Sequence, residues 1–176
     1  AISHINDWLL LRPIFKGGRL IAYAAMFGHM TDVGGKVPGS LPTDAREIFE
    51  EGIRVPPLKI FKNDELQTDV LNLILHNSRM PTWNRSDFNA LVAAMRTAEK
   101  RVIEMAERFG DDEYFSALDE LLARNKRAMA KLIKDTVPTK KQHFEDYICD
   151  DGLGMGPYRI KCSMWRDKDK VIFDFD

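Results

Sequence analysis

Two apolar runs separated by a glycine turn constrain this chain more than any other feature. Trp8 to Phe15 reads WLLLRPIF, Leu20 to Phe27 reads LIAYAAMF, and Lys16-Gly17-Gly18-Arg19 lies between them. A Gly-Gly pair flanked by apolar runs is a strong signal for a two-residue hairpin. The first run is apolar nearly throughout, as expected of a strand buried on both faces, and Pro13 marks an edge or a bulge. In the second run, Ala22, Ala24 and Ala25 predict close approach by another element. Helix is the competing reading of so short a run, but the preceding turn and Tyr23 favour strand. A hairpin returns its outer ends to one edge of a sheet. His4 and Asp7 precede the first run, and His29 and Asp32 follow the second. The topology therefore gathers two imidazoles and up to two carboxylates.

His4, Asp7 and His29, with or without Asp32, make a set that suits a divalent first-row metal and leaves positions open. His4 and Asp7 lie three apart, so they converge only on a turn or helix, and Asn6-Asp7 favours a turn. His-x-x-Asp also arises by chance, so on spacing alone an ordinary turn stands as the alternative. A second candidate is an anion cradle at Gly34-Gly35-Lys36 and Pro38-Gly39-Ser40. Glycine-rich backbone can point N–H groups at an oxyanion, and Lys36 adds positive charge. The pattern matches neither a Walker A loop nor a dinucleotide fingerprint, and an ordinary flexible loop is the alternative. Asp150-Asp151-Gly152, with Gly154 and Gly156, lacks calcium-loop spacing and reads as a turn. His76 and His143 read as structural, and Cys149 and Cys162 lack the basic neighbours of a nucleophile.

Gly28 to Pro42 holds too many glycines and prolines for a regular element, and long loops of this kind are often functional. Thr43 to Glu51 predicts a short capped helix stopped by Gly52. Ile53 to Phe61 is extended, because Pro56 and Pro57 forbid helix. Thr68 is expected to cap a helix to about Asn77, in a unit that Pro81 ends. Ser86 then caps a long helix closed by Gly110, and Asp111 or Asp112 caps another to about Asp135. The short connection makes these two an antiparallel hairpin. His143–Cys149, Tyr158–Trp165 and Val171–Phe175 read as strands. The fold class is α+β, with sheet-forming N- and C-terminal parts and an inserted antiparallel helical hairpin. Residues 1–62 form a strand and loop region with the metal motif, 63–138 are helical, and 139–176 are strands.

Net charge is -1, so no global field would hold nucleic acid or an anionic membrane. No run is long and apolar enough to span a bilayer, and no signal-peptide core opens the chain. Cys149 and Cys162 form no close pair, which suggests free thiols and a reducing, cytoplasmic setting. The chain begins without Met and closes on VIFDFD, like an unfinished strand. A segment of a longer polypeptide is expected.

These residues resemble the hydantoinase B family. The resemblance is carried by His-x-x-Asp, the hairpin, and GHMTDVGGKVPGSLPTDAREIFEEGIRVPPLKI, in which His29, Asp32, Gly34 and Gly35 form the H-x-x-D-x-G-G core. NSRMP at Asn77 to Pro81 and CDDGLGMGPYRI at Cys149 to Ile160 extend it over nearly the whole chain. Within the family, HMTDVGGKVPGSLPTDAR and RSDFNALVAAMRTAEKRVIEMAERFGDD look most like the alpha (large) subunit of acetone carboxylases. The resemblance implies a metal-bearing segment of a larger subunit, inactive alone. It would hold Mn2+ (Zn2+ or Fe2+ in its place) through His4, Asp7 and His29. It also implies a hydantoinase A-type (beta) subunit that uses ATP and Mg2+, and a small (gamma) subunit. A ketone and bicarbonate would be the small-molecule substrates, with acetone enolate and CO2 joined to give acetoacetate. Acetophenone carboxylase, N-methylhydantoinase and 5-oxoprolinase subunits, the last two opening amide rings, are the alternatives within the family. A non-catalytic interaction module is the alternative of another class. Asp32 would orient His29 through its free ring nitrogen or ligate directly, and Asp32 and Lys36 are the expected catalytic residues.

Overall fold

The computed structural model describes residues 4–175, and its chain divides into two compact units, Ala1–Met105 and Ala106–Asp176. Strands β1 (Asp7–Lys16) and β2 (Arg19–His29) form a two-stranded antiparallel ribbon. Gly17 and Gly18 both take positive φ at its tip, as a tight hairpin turn of this hand demands. The register pairs Leu10 with Met26 and Asp7 with His29, and a bulge between Ile14 and Phe15 follows Pro13.

Only one face of the ribbon is buried. Trp8 and Leu10 pack toward a core of Leu71, Leu75 and Phe88, together with Ile60, Phe61, Leu66 and Val92. Leu9, Leu11, Tyr23 and Phe27 on the other face are exposed. The expectation of burial on both faces is corrected accordingly: the apolar run covers a core on one side and is uncovered in this chain on the other. Ile14 is fully buried. Ile14→Val should cost about 0.5–1.5 kcal/mol, read as a lower urea midpoint at unchanged m.

The segment 43–51 is not a capped helix but a single 3-10 turn, Ile48–Glu50. Asn63 and Asp64 take positive φ and join two short strands, β3 (Phe61–Lys62) and β4 (Glu65–Leu66). Asn and Asp tolerate that conformation, so a residue pair that reads as mere punctuation makes a hairpin. Helix α1 covers Thr68–Leu75, with Gln67 rather than Thr68 at the cap. Helix α2 covers Pro81–Phe109, so it begins five residues before Ser86. Pro81 opens the helix instead of ending the previous unit, because a first-turn residue has no use for an N–H. Arg12, on the buried face of β1, donates to Glu99 of α2 and to Asp64, each at 2.8 Å.

In the second unit, α3 (Asp111–Thr136) follows Gly110, and its stripe of Leu118, Leu121, Leu122, Met129 and Leu132 is exposed. Strands β5 (Gln142–Ile148), β6 (Tyr158–Asp167) and β7 (Lys170–Phe175) form an antiparallel sheet in that order. The loop before β6 is tied by Asp151, whose carboxylate accepts from the Leu153 and Met155 N–H groups at 2.8 and 3.0 Å. The α+β class stands, with helices between sheet-forming ends. No helix among the described residues is long and apolar enough to cross a membrane.

Candidate metal centre

The open end of the ribbon brings three sequence-predicted residues together. Asp7 and His29 are cross-strand partners, and Asp7 Oδ1 stands 2.7 Å from His29 Nδ1. Asp7 is 6 % exposed, and the His29 side chain 45 %. The chain before Asp7 turns back as Asn6-Asp7 predicts: the Asp7 N–H donates to the His4 carbonyl at 3.1 Å, and the His4 N–H to Asp7 Oδ2 at 3.4 Å. That turn sets the His4 ring edge-on to His29, with ring centroids 6.1 Å apart.

An imidazole nitrogen binds a divalent ion at about 2.1 Å, which puts its ring centre roughly 3.3 Å from the ion. Two such rings reach up to about twice that separation, so 6.1 Å is within the span of one shared ion. With Nδ1 facing Asp7, His29 has Nε2 left for a ligand. Among the described residues, no three His, Cys, Asp or Glu side chains are arranged to hold a metal as they stand. The donor types and the ring spacing fit a divalent ion, while Asp7 stands against His29 rather than beside it. Asp7 thus makes with His29 the carboxylate–imidazole contact that the resemblance suggests for Asp32.

Asp32 does something else. It is 1 % exposed, and its carboxylate is filled by donors from its own loop and from Arg79. Oδ1 accepts from the Gly34 N–H at 3.0 Å and the Arg79 N–H at 2.9 Å. Oδ2 accepts from the Gly39 N–H and from the Arg79 guanidinium, both at 3.0 Å. Burial by itself would raise the Asp32 pKa, but the N–H donors of Arg79, Gly34 and Gly39 and the guanidinium outweigh it and hold it below the ordinary carboxylate range. The glycine-rich cradle thus exists, and the anion that it holds is Asp32.

The other loop donors are also used internally. The Val33 N–H donates to Ser40 Oγ at 2.8 Å, and the Lys36 N–H to the Glu50 carbonyl at 2.9 Å. The Lys36 ammonium pairs with Glu50 and, at 3.0 Å, with Asp44. Those two carboxylates raise its pKa, Glu50 foremost. Lys36 is a tether between loop segments.

Three residues of this site escape sequence reasoning. Arg79 also donates to the carbonyls of Gly34 and Val37, each at 3.2 Å, and of Gly35 at 2.6 Å. Asn84, fully buried, donates to the Asp32 carbonyl at 2.6 Å. Asn6, also fully buried, donates from Nδ2 to the carbonyls of Met30 at 3.0 Å and Gly39 at 3.2 Å. The signal for Arg79 is indirect: a loop with this many carbonyls turned inward needs a multi-donor cation, and Arg supplies five N–H groups in a fixed fork.

A family profile described as hydantoinase B/oxoprolinase matches residues 1–176. The chain belongs to the hydantoinase B/oxoprolinase family. It is similar to the caprolactamase beta subunit of Pseudomonas jessenii, with 35 % identity over 158 residues, 90 % of this chain and 27 % of that protein. The acetophenone carboxylase delta subunit of Aromatoleum aromaticum is 29 % identical over 97 % of this chain and 25 % of its own length. The crystal structure of the ATP-dependent caprolactamase from Pseudomonas jessenii superposes with a TM-score of 0.89 at 33 % identity, over 97 % of this chain and 29 % of that one. A nucleotide-free acetone carboxylase structure superposes with a TM-score of 0.87 at 21 % identity, over 98 % of this chain and 24 % of that one, a likeness of fold. The chain spans about a quarter of the length of these family relatives. Its sequence likeness is greater to the caprolactamase subunit than to the acetone carboxylase.

Proposed function

We propose that this chain carries the metal centre of an ATP-dependent enzyme subunit that opens a cyclic amide. The observation that carries the reading is the Asp7–His29 pair at 2.7 Å, with the His4 ring beside it. The likeness to a caprolactamase subunit supports the substrate class. His4 and His29 Nε2 would hold a divalent ion, with manganese first and zinc or iron as alternatives. Asp7 fixes the His29 tautomer and raises its basicity as a ligand. A bound divalent ion supplies Lewis-acid polarisation of a carbonyl oxygen and stabilises the oxyanion that develops there. The exposed edge of His29 leaves room for such a carbonyl, and the clamped loop that begins at Met30 holds that edge in place. ATP and Mg2+ would be used by a hydantoinase A-type partner subunit, as the family resemblance implies.

Ketone carboxylation on the same centre is the second reading, favoured by the likeness to an acetophenone carboxylase subunit. There His4 and His29 would hold the ion beside the oxygen of an enolate, whose α-carbon would bond to CO2 derived from bicarbonate, with beta and gamma partners as in an acetone carboxylase. ATP hydrolysis by the full-length protein with its partner subunit separates the two. Turnover stimulated by a lactam, a hydantoin or 5-oxoproline without bicarbonate is the expected result. A strict need for both a ketone and bicarbonate would move the assignment to carboxylation. Indifference to every substrate, with His29→Ala behaving as wild type, would leave an interaction module.

A further inference from the structure

We infer that Arg79 is a positioning residue for the His4, Asp7 and His29 centre, acting through Asp32, Gly39 and Asn6. The inference rests on the metal reading above and adds a residue that touches none of the three. The connection is continuous. Arg79 grips Asp32 through its backbone N–H and its guanidinium, at 2.9 and 3.0 Å. Asp32 Oδ2 holds the Gly39 N–H at 3.0 Å. The Gly39 carbonyl accepts from Asn6 Nδ2 at 3.2 Å, and the same amide nitrogen donates to the Met30 carbonyl at 3.0 Å. The Met30 N–H closes the ring on the Asn6 carbonyl at 2.8 Å. Asn6 adjoins Asp7 and Met30 adjoins His29, so the two residues that make the 2.7 Å contact are bracketed on both strands by one hydrogen-bonded network.

Arg79 is placed where its loss would be felt at the centre. Its guanidinium reaches Asp32, Gly34, Gly35 and Val37 at once. Without it, Asp32 loses one of its four donors, the charged one, and Oδ2 keeps only the Gly39 N–H, while the carbonyls of Gly34, Gly35 and Val37 lose the donor that ties them together. Asn6 Oδ1 is buried without a hydrogen-bond partner among the described residues, so the amide is fixed by its nitrogen alone. A lysine does not replace this grip, since a point charge on a flexible stem lacks the fixed fork of donors that serves four acceptors at once.

The test uses the full-length protein as wild type, Arg79→Ala, Arg79→Lys and Arg12→Ala. The last breaks the ion pairs with Glu99 and Asp64 away from the loop. Mn2+ affinity is measured by chelator competition, the bound ion by EPR, and stability by thermal unfolding. Arg79→Ala should bind Mn2+ about tenfold or more weakly, in the range seen for residues that support metal ligands, with a changed EPR line shape. Arg79→Lys should fold and still bind several-fold more weakly. Arg12→Ala should melt earlier while keeping wild-type affinity and spectrum. Wild-type affinity and line shape in Arg79→Lys, and in Arg79→Ala where it folds, would overturn the inference and leave the metal reading intact. A wild-type protein that binds no divalent ion would overturn both.

Discussion

Asp32→Ala should destabilise the protein by about 2–5 kcal/mol, because it leaves the loop's N–H donors without their acceptor at roughly 1–3 kcal/mol each. The cause is not the lost charge alone. The Arg79 guanidinium is 43 % exposed and partly regains water. The N–H groups of Gly34, Gly39 and Arg79 cannot do so as readily, and each buried donor left without an acceptor costs about 1–3 kcal/mol. Asp32→Asn is the informative companion, because it keeps the shape but replaces one acceptor oxygen with a donor that faces donors. Chemical denaturation at neutral pH checks the order, with Ala and Asn both well below wild type. The acid side gives a second check. The folded pKa of Asp32 lies below its unfolded value of about 3.9. Its contribution is therefore complete above that value and is lost as pH falls through the lower folded one. The stability of Asp32→Asn relative to wild type should accordingly converge only at strongly acid pH.

Gly35→Ala should cost a comparable amount, about 2–5 kcal/mol, from overpacking and a left-handed backbone together. Gly35 sits at φ +80°, where a Cβ is disfavoured. A Cβ there would stand 2.4 Å from the Glu50 carbonyl oxygen and 2.6 Å from the Glu51 carbonyl carbon. Both obstacles are backbone, so no side chain can swing aside. The same carbonyl of Glu50 receives the Lys36 N–H, so displacing it also undoes a loop bond. Gly28→Ala makes the contrast, since the atom in its way is the flexible Leu91 side chain. Side-by-side unfolding of the two variants should show the Gly35 change as much the larger.

The ribbon was legible because its signals are local: a Gly-Gly turn, apolar flanks and a proline at the bulge. The three C-terminal strands were legible for the same reason, and each was placed within a few residues. What the chain does to Pro81 was not. A proline reads equally as a terminator or as a first-turn residue, and Ser86, which resembles a cap, sits inside α2 with its hydroxyl donating to the Thr82 carbonyl at 3.1 Å. Burial of both ribbon faces was misread because apolar composition reports what a strand can bury and not what covers it. At the site, the convergence of His4, Asp7 and His29 follows from hairpin topology and was visible. The work of Asp32 was hidden, because its partner Arg79 lies 47 residues away. A carboxylate beside glycines looks the same in sequence whether it serves a metal or its own loop.

We propose that His4 and His29, with Asp7 behind His29, hold a divalent ion. Elemental analysis of the full-length protein, purified without added metal beside His29→Ala, is the decisive test. The expected result is about one divalent ion per wild-type chain, manganese foremost, and its loss in a His29→Ala variant that remains folded. Equal metal content in the two proteins, or none in either with unchanged activity alongside the partner subunit, would contradict it.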